Sequence, residues 1–281
     1  MKPIIKYQGG KTKELSIIRN YIGKNHKRIV EPFCGGAAVS FDAEIPAVLN
    51  DINKDVINLY QSVANYKTYV LIQEKVDLLK DMDHDALELE YYAAREAINQ
   101  PWECVDPCQR ALSYIIVRQL CFSGMERYNA KGEFNVPFGH YKKFSCNLSH
   151  NHHLFLKQCD IRFGDAISLF DSIQDNDFVF VDPPYLDRLG YTTGDGGAKL
   201  HVNLADVLHN CNADWLLIHC DDDFYREEYS TYTIVDKDFN YSQRWGKNKD
   251  HSNSKVNHLY ISNVPVAQLS TTTVTAFLEA V

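Results

Sequence analysis

The tetrad Asp182-Pro183-Pro184-Tyr185 closes the apolar run Phe178–Val181 and is the segment of this chain best equipped for chemistry. A short apolar strand that stops at an acid, two prolines and an aromatic ring makes a small, fixed, partly polar pocket. Proline locks φ and removes a backbone donor, so nearby carbonyls are held out as acceptors. A carboxylate, a prolyl carbonyl and a ring face suit a flat base carrying an exocyclic amine. The two acceptors take the amine hydrogens, and the ring stacks on the base. Asp-Pro-Pro also occurs in ordinary turns, where Asp182 would only cap a chain reversal and Tyr185 would be a core aromatic.

The elements that must position this tetrad alternate between strand and helix. Arg28–Glu31 reads as a short strand that ends in the turn Pro32–Gly36, and Ala37–Asp42 can begin a helix. Ala47–Leu49 is a second strand, closing on Asn50-Asp51-Ile52-Asn53. Residues 54–100 are helix-like, with Val56, Leu59, Tyr60 and Val63 at helical spacing, and Cys108–Leu120 reads as a further helix. Phe122–Phe144, rich in Gly, Asn and aromatics, reads as loop or hairpin. The strand pattern resumes at Asp160–Phe163, Phe178–Val181, Trp215–Cys220, Thr231–Val235 and Asn257–Ser262. Strands on both sides of a long helical stretch predict a doubly wound α/β domain interrupted near residues 55–157. The segment Thr192–Gly197 is a Gly-rich loop.

Ligands of open α/β sheets bind beyond the carboxyl ends of the strands, so the loops there are the next place to look. Glu31-Pro32-Phe33-Cys34-Gly35-Gly36 follows the first strand and lets its backbone approach a ligand closely. Asp51 follows the second strand and is placed to bind ribose hydroxyls. Asp165 follows the third, where a carboxylate can accept from an adenine amine, and Asp182 follows the fourth. The alternative for Asp51 and Asp165 is that each caps a helix.

Composition bounds the rest. A chain of 281 residues with 45% apolar and 23% charged residues is that of an ordinary globular protein. No apolar stretch approaches the roughly 20 residues that span a bilayer, and the start lacks the apolar core of a signal peptide. Eight irregularly spaced cysteines argue for reduced thiols and a cytosolic protein, without a disulfide framework or a metal site. A net charge of −8 speaks against a generic nucleic-acid binder. Basic residues nevertheless gather at Lys2–Arg28, at Arg118, Arg127, Lys131, Lys142 and Lys143, and at Lys237, Arg244, Lys247, Lys249 and Lys255. If these share a face they form a phosphate-binding strip on an acidic body; the alternative is three solvated surfaces.

Several of these segments together resemble a known family. Lys6-Tyr7-Gln8-Gly9-Gly10-Lys11 ahead of Glu31–Gly36, a long insertion, and then Asp182–Tyr185 resemble the Dam-type (alpha-group) DNA adenine-N6 methyltransferases. Within the insertion, Ser123-Gly124-Met125-Glu126-Arg127-Tyr128-Asn129 leads into Lys131 through Gly139, a string similar to that family's DNA-reading hairpin. Cys34-Gly35-Gly36 and Phe122–Met125 look closest to bacteriophage members, and Arg244 through His258–Asn263 fits the closing motif. The resemblance runs over nearly the whole chain.

It implies a Rossmann-like α/β methyltransferase sheet carrying an inserted, mainly helical target-recognition domain with a β-hairpin. Residues 1–54 and 158–281 would form the catalytic domain and 55–157 the DNA target-recognition domain. Tyr7, Lys11, Phe33, Gly35, Asp51 and Asp165 would line an S-adenosylmethionine site. Asp182, Pro183 and Tyr185 would hold a flipped adenine. Lys6 and Arg127 would contact guanines, Met125 and Pro137 would pack on a thymine methyl, and Ser123, Asn129 and Tyr141 would complete the DNA-binding set. Those contacts read GATC in double-stranded DNA. No metal is required, and a monomer is the default. Bacterial members of the family usually have a second glycine where Ala37 stands, a departure that bears on the cofactor loop and for which the neighbouring Gly36 can compensate.

Other readings remain beside this one. Lys6 and Lys11 are, on the alternative, surface lysines; Arg127 pairs with Glu133 across a hairpin; Gly132 and Gly139 only turn the chain. His150, His152 and His153 fit no familiar metal spacing and read as a surface loop. Pro107-Cys108-Gln109 matches the nucleophile motif of cytosine-C5 methyltransferases, but it sits where Asp106-Pro107 begins a helix. Competing functions are a cytosine-N4 methyltransferase and a catalytically silent DNA-binding protein that keeps the fold.

Overall fold

Local capping explains where the long helical stretch breaks. In a computed structural model that describes residues 1–185, 196–241 and 254–264, Asn53 accepts hydrogen bonds from the N–H groups of Asp55 and Val56 and starts one helix. Asn65 ends that helix and caps the next by accepting from Lys67, Asp83 caps a third through Ala86, and Asp106 caps a fourth through Cys108 and Gln109, with Pro107 in its first turn.

In chain order the helices are α1 (Leu15–Ile18), α2 (Ala38–Ala43), α3 (Lys54–Ala64), α4 (Tyr66–Lys80), α5 (His84–Asn99), α6 (Pro107–Leu120), α7 (His150–Leu156), α8 (Gly196–His209) and α9 (Asp223–Glu228). The strands are β1 (Arg28–Glu31), β2 (Ala47–Asp51), β3 (Asp160–Phe163), β4 (Asp177–Val181), β5 (Asp214–Cys220), β6 (Thr233–Tyr241) and β7 (Ser254–Ser262). They form a mostly parallel seven-stranded sheet in the order β3-β2-β1-β4-β5-β7-β6. Among the described residues no helix is long and apolar enough to cross a membrane.

The chain divides into two compact units. The first, Met1–Leu15 with Cys34–Gly164, contains the parallel pair β2 and β3, in register from Val48 opposite Asp160 to Asp51 opposite Phe163. Between these strands the chain forms α3 to α7. Val56, Leu59, Tyr60 and Val63 of α3, Ile72, Val76 and Leu79 of α4, and Leu87 and Tyr91 of α5 are buried, at about 1.5–3 kcal/mol for each fully buried large apolar side chain. Helix α6 is buried over almost its whole second half, from Ser113 to Leu120, and so lacks a polar face there. Residues 121–139 form two isolated bridges, Cys121 with Phe138 and Tyr128 with Phe134, about a turn in which Gly132 adopts φ +78°.

The second unit, Ser16–Phe33 with Asp165–Val281, holds the other five strands. Strand β4 is buried at every position, as expected for a parallel strand covered on both faces. Its register with β1 is pinned by a bidentate ion pair between the directly opposed Arg28 and Asp177, Nε–Oδ1 2.9 Å and Nη2–Oδ2 2.6 Å. The strand order reverses direction between β1 and β4, so their carboxyl ends, at Glu31 and Val181, flank the switch point where α/β sheets bind ligands.

Three expectations are corrected. His150, His152 and His153 lie on α7 rather than in a surface loop; His152 reaches the carbonyl of Lys2 through Nε2 and His153 that of Val63 through Nδ1, both at 2.9 Å and both buried. Arg118 and Lys11 are buried, so neither belongs to an exposed phosphate strip. Strand β6 begins at Thr233, two residues later than the apolar pattern predicted. Residues 192–195 of the Gly-rich loop, and Arg244, Lys247 and Lys249 of the third basic cluster, lie outside the described residues.

Candidate active site

In the first unit the glycine turn after β1 is tied to β2. Cys34 N–H donates to the Asn50 carbonyl at 2.8 Å, and Gly35 N–H donates to Asp51 Oδ2 at 2.8 Å. The Gly35 carbonyl accepts from the Tyr60 hydroxyl at 2.6 Å. Gly35 adopts φ +43°, and the Tyr7 ring lies so close that a Cβ at Gly35 would sit 2.6 Å from Tyr7 Cε1. A Cβ at Gly36 would lie 2.9 Å from Tyr7 Cβ. The two glycines are therefore there to admit Tyr7 as well as to turn the chain.

Ala37 follows in the left-handed region, φ 49° and ψ 37°, with its N–H on the Cys34 carbonyl at 2.6 Å. The loop thus has the geometry of a third glycine without the residue. A left-handed alanine costs about 1–2 kcal/mol, of which a glycine loses part again to backbone entropy. Ala37→Gly is expected to stabilise the protein by about 0.5–1 kcal/mol in chemical denaturation; an unchanged or lower midpoint would show that this strain is already relieved.

Asp51 is buried at the end of β2, where burial pushes its carboxyl above the usual range while the N–H groups of Asn53 and Gly35 oppose that shift. Its Oδ1 takes Asn53 N–H and its Oδ2 takes Gly35 N–H, both at 2.8 Å, and Ile52 N–H also bears on the carboxylate, whose acceptor sites exceed these donors and leave room for a hydroxyl. Asp51 does not cap α3, a role taken by Asn53. Beside it Ile52 is 79% exposed, an apolar face that the sequence reading passed over. A carboxylate with spare acceptor sites, an adjacent exposed apolar side chain and a backbone that approaches closely fit a nucleoside-bearing cofactor. Lys11 is buried in a single 3-10 turn, its Nζ on the Gly9 carbonyl at 2.9 Å, so it is no surface lysine.

The same unit presents an exposed segment built around residues 122–139. Lys6 Nζ donates to the Gln119 carbonyl at 2.8 Å and stands over the Tyr141 ring, 4.1 Å from its centroid; its partial burial lowers its pKa. Ser123 and Gly124 are both left-handed, φ 56° and 67°, and Phe122 N–H meets the carbonyl of the exposed Pro137 at 2.9 Å. Arg127 is exposed and bonds Asn135, Nε to Oδ1 at 2.8 Å and Nη2 to the carbonyl at 3.1 Å, rather than pairing with Glu133. Glu133 instead accepts from Asn129 Nδ2 at 2.7 Å. Met125, half-buried, precedes the inward-facing Glu126.

In the second unit Asp182 follows β4, half-buried, with Pro183 buried and Pro184 exposed. Phe33, half-buried, follows β1 at the other side of the switch point. Tyr185 stands edge-on to two buried imidazoles, His219 at 4.9 Å and His258 at 5.7 Å between centroids, and its hydroxyl lies 3.4 Å from His258 Nε2. His219 in turn stacks on Tyr225 at 3.9 Å. Neither histidine was singled out in the sequence, although a histidine inside the apolar run Trp215–Cys220 is a visible signal. Asp165 is exposed and accepts from Ser168 N–H at 2.9 Å in a local turn, while the 3-10 turn that follows has Ile167 at its N-cap. Cys108 has its thiol pushed up by burial, the reverse of what a cysteine nucleophile needs.

A mostly parallel sheet with a glycine turn after β1, an acid after β2 and an acid-led proline tetrad after β4 defines a Rossmann-like methyltransferase fold. The family model for D12 class N6 adenine-specific DNA methyltransferases matches residues 7–243. The chain is 33% identical over 274 residues to the type II methyltransferase M.CviBI of Paramecium bursaria Chlorella virus NC1A, covering 94% of this chain and all of that enzyme. It is 31% identical over 219 residues to the DNA adenine methylase of Salmonella typhimurium strain LT2, 74% of this chain and 76% of that one. Against the DNA N-6-adenine-methyltransferase of Escherichia phage P1 it is 33% identical over 187 residues, 66% of this chain and 24% of the larger phage enzyme. The chain belongs to the D12 class N6 adenine-specific DNA methyltransferases. Membership implies a methyl donor and a DNA acceptor.

Proposed function

We propose that the chain transfers a methyl group from S-adenosylmethionine to N6 of an adenine flipped out of duplex DNA, within GATC. The observation that carries this is the Asp182–Tyr185 tetrad at the carboxyl end of β4, beside the switch point, with its ring braced by His219 and His258. N6 is buried in a stacked duplex, so the base must leave the helix at a cost of a few kcal/mol, part of which stacking on Tyr185 returns. Asp182 and the Pro183 carbonyl accept both N6 hydrogens and aim the nitrogen lone pair outward. S-adenosylmethionine supplies an electrophilic methyl on sulfonium. The chain's contribution is positioning for in-line displacement, in which the nitrogen takes the methyl as its bond to sulfur breaks and one N6 hydrogen then leaves as a proton, with no covalent step on the protein.

For the cofactor, Tyr7, Lys11, Gly35 and Asp51 of the first unit and Phe33 and Asp165 of the second are the residues proposed to serve it, Asp51 through ribose hydroxyls. Asp165 would exchange its Ser168 bond for a ligand amine. Lys6 and Arg127 read guanines, Met125 and Pro137 the thymine methyl, and Ser123, Asn129 and Tyr141 support the DNA. Residues 55–157 act as the target-recognition domain and 1–54 with 158–281 as the catalytic one, in a monomer.

The test incubates the purified chain with unmethylated genomic DNA and S-adenosylmethionine and maps modified bases by single-molecule sequencing. N6-methyladenine confined to GATC is the expected result. Another motif would keep the mechanism and overturn the roles of Met125, Arg127 and Pro137. No modification, with cofactor binding seen by calorimetry, would favour a silent DNA-binding protein.

A further inference from the structure

Helix α6 carries a guanidinium with no exposed surface, that of Arg118. A buried guanidinium needs acceptors for its fork of N–H donors, and here they come from two distant segments. Nε donates to the Lys6 carbonyl at 3.1 Å, Nη1 to the Met125 carbonyl at 3.2 Å and Nη2 to the Gly124 carbonyl at 3.2 Å. Its charge is met by Glu126, Nη1–Oε2 3.3 Å, a carboxylate whose side chain is 8% exposed. Glu126 also accepts from the Tyr128 hydroxyl at 3.0 Å, and its N–H donates to Gln8 Oε1 at 3.0 Å. One cation and one anion thus join residues 6–8 to residues 124–126.

Both segments carry the proposed base readers. Lys6 lends its main chain to Arg118 while its amine is directed over Tyr141. Met125 and Arg127 flank Glu126, which faces inward while Arg127 is exposed. The left-handed pair Ser123 and Gly124 turns the chain just before the carbonyls that Arg118 collects. An apolar side chain in its place would fill the space but leave those three carbonyls without this donor. A buried ion pair contributes little net stability over an apolar pair yet defines geometry, and removing one partner strands the other.

We infer that Arg118 and Glu126 are specificity-determining positioning residues, which hold the Lys6 segment and the Met125–Arg127 segment at the spacing that discriminates one DNA sequence from another, without touching DNA themselves. This rests on the proposed reading of bases by Lys6, Met125 and Arg127.

The test compares kcat/KM on a duplex bearing the mapped site with that on duplexes altered by one base pair. Because both terms scale with the folded fraction, their ratio is insensitive to simple destabilisation. Arg118→Lys keeps the charge but not the fork, and Glu126→Gln keeps the shape but not the charge. Tyr128→Phe removes a single hydrogen bond on Glu126 at an exposed position and serves if the buried variants do not fold. Arg127→Ala is the direct-reader control. A wrong base pair typically costs about 10- to 100-fold. Arg118→Lys and Glu126→Gln are expected to reduce that ratio roughly tenfold, and Tyr128→Phe about two- to threefold, with methylation of the mapped site itself much less affected. If the ratio collapses in Arg127→Ala but is wild-type in the others, the positioning role is overturned and the base reading stands. If Arg127→Ala leaves the ratio intact while Arg118→Lys lowers it, the role of Arg127 falls and the positioning role stands. A ratio intact in all four overturns both.

Discussion

Asp182→Ala is expected to reduce methyl transfer by at least about 10³-fold while leaving S-adenosylmethionine binding within about twofold of wild type. The proposed role of Asp182 is confined to the amine. It takes an N6 hydrogen and so holds the nitrogen lone pair on the line of transfer, and alanine offers no acceptor. The fold should tolerate the change. Strand β4 is buried at all five positions and pinned through Arg28 and Asp177 at its other end, and Asp182 lies just beyond it, half-buried. The cofactor residues proposed for the first unit keep their own bonds, Asp51 to Gly35 and Asn53, whatever stands at 182. Turnover of purified enzyme on unmethylated duplex, with calorimetry of cofactor binding, separates the two quantities. Wild-type turnover in the variant would remove Asp182 from the chemistry; loss of cofactor binding would make it part of the cofactor site instead.

The second large effect is expected from Gly35→Ala. At φ +43° an alanine costs about 1–2 kcal/mol in backbone strain alone. The added methyl would also lie 2.6 Å and 2.9 Å from Tyr7 Cε1 and Cδ1. Either the ring or the loop must move, and the loop is held by Asp51 and Tyr60. We expect a loss of about 2–4 kcal/mol in stability, within the range for overpacking plus strain, and at least about tenfold weaker cofactor binding. Gly9→Ala is the matched control, since Gly9 has φ +79° but nothing within 4 Å of the added Cβ. It should show the backbone cost without the clash. Thermal melts and calorimetric titration with S-adenosylmethionine measure both. Native affinity in Gly35→Ala would show that the loop does not approach the cofactor.

Much of this architecture is legible in the sequence. Strand β3 was expected at Asp160–Phe163 and is found there; β4 and β5 each extend one residue further at the start. The β-branched and aromatic runs of β4 and β5 report burial on both faces, a property of the segment itself, whereas the edge strand β3 is exposed at both ends. The starts of α3, α4, α5 and α6 follow from Asn53, Asn65, Asp83 and Asp106, each of which bonds N–H groups two or three residues away, although the helical pattern over 54–100 runs through the breaks at Asn65 and Asp83 and does not show them. The stretch 122–144 was readable only as loop or hairpin. It holds one isolated bridge, Tyr128 with Phe134, and a second to Cys121 from Phe138, rather than a ladder, in a segment where Gly124, Gly132, Pro137 and Gly139 disfavour regular pairing.

By itself, the amino-acid sequence determined what depends on near neighbours: which runs are strands, where helices start, and the order of glycine turn, acids and proline tetrad along the chain, enough to reach the family. Tertiary structure alone decided the fate of the polar groups that ended up inside. Arg118 reads as a basic surface residue until the carbonyl of Lys6, more than a hundred positions away in the chain, becomes its acceptor. His152 and His153 read as surface histidines until the carbonyls of Lys2 and Val63 claim them, and the buried His219 and His258 gain a role only where the Tyr185 ring meets both edge-on. Apolar burial announces itself in a local pattern. A buried polar group is acceptable only when a partner of the right kind arrives, and that partner can come from anywhere in the chain.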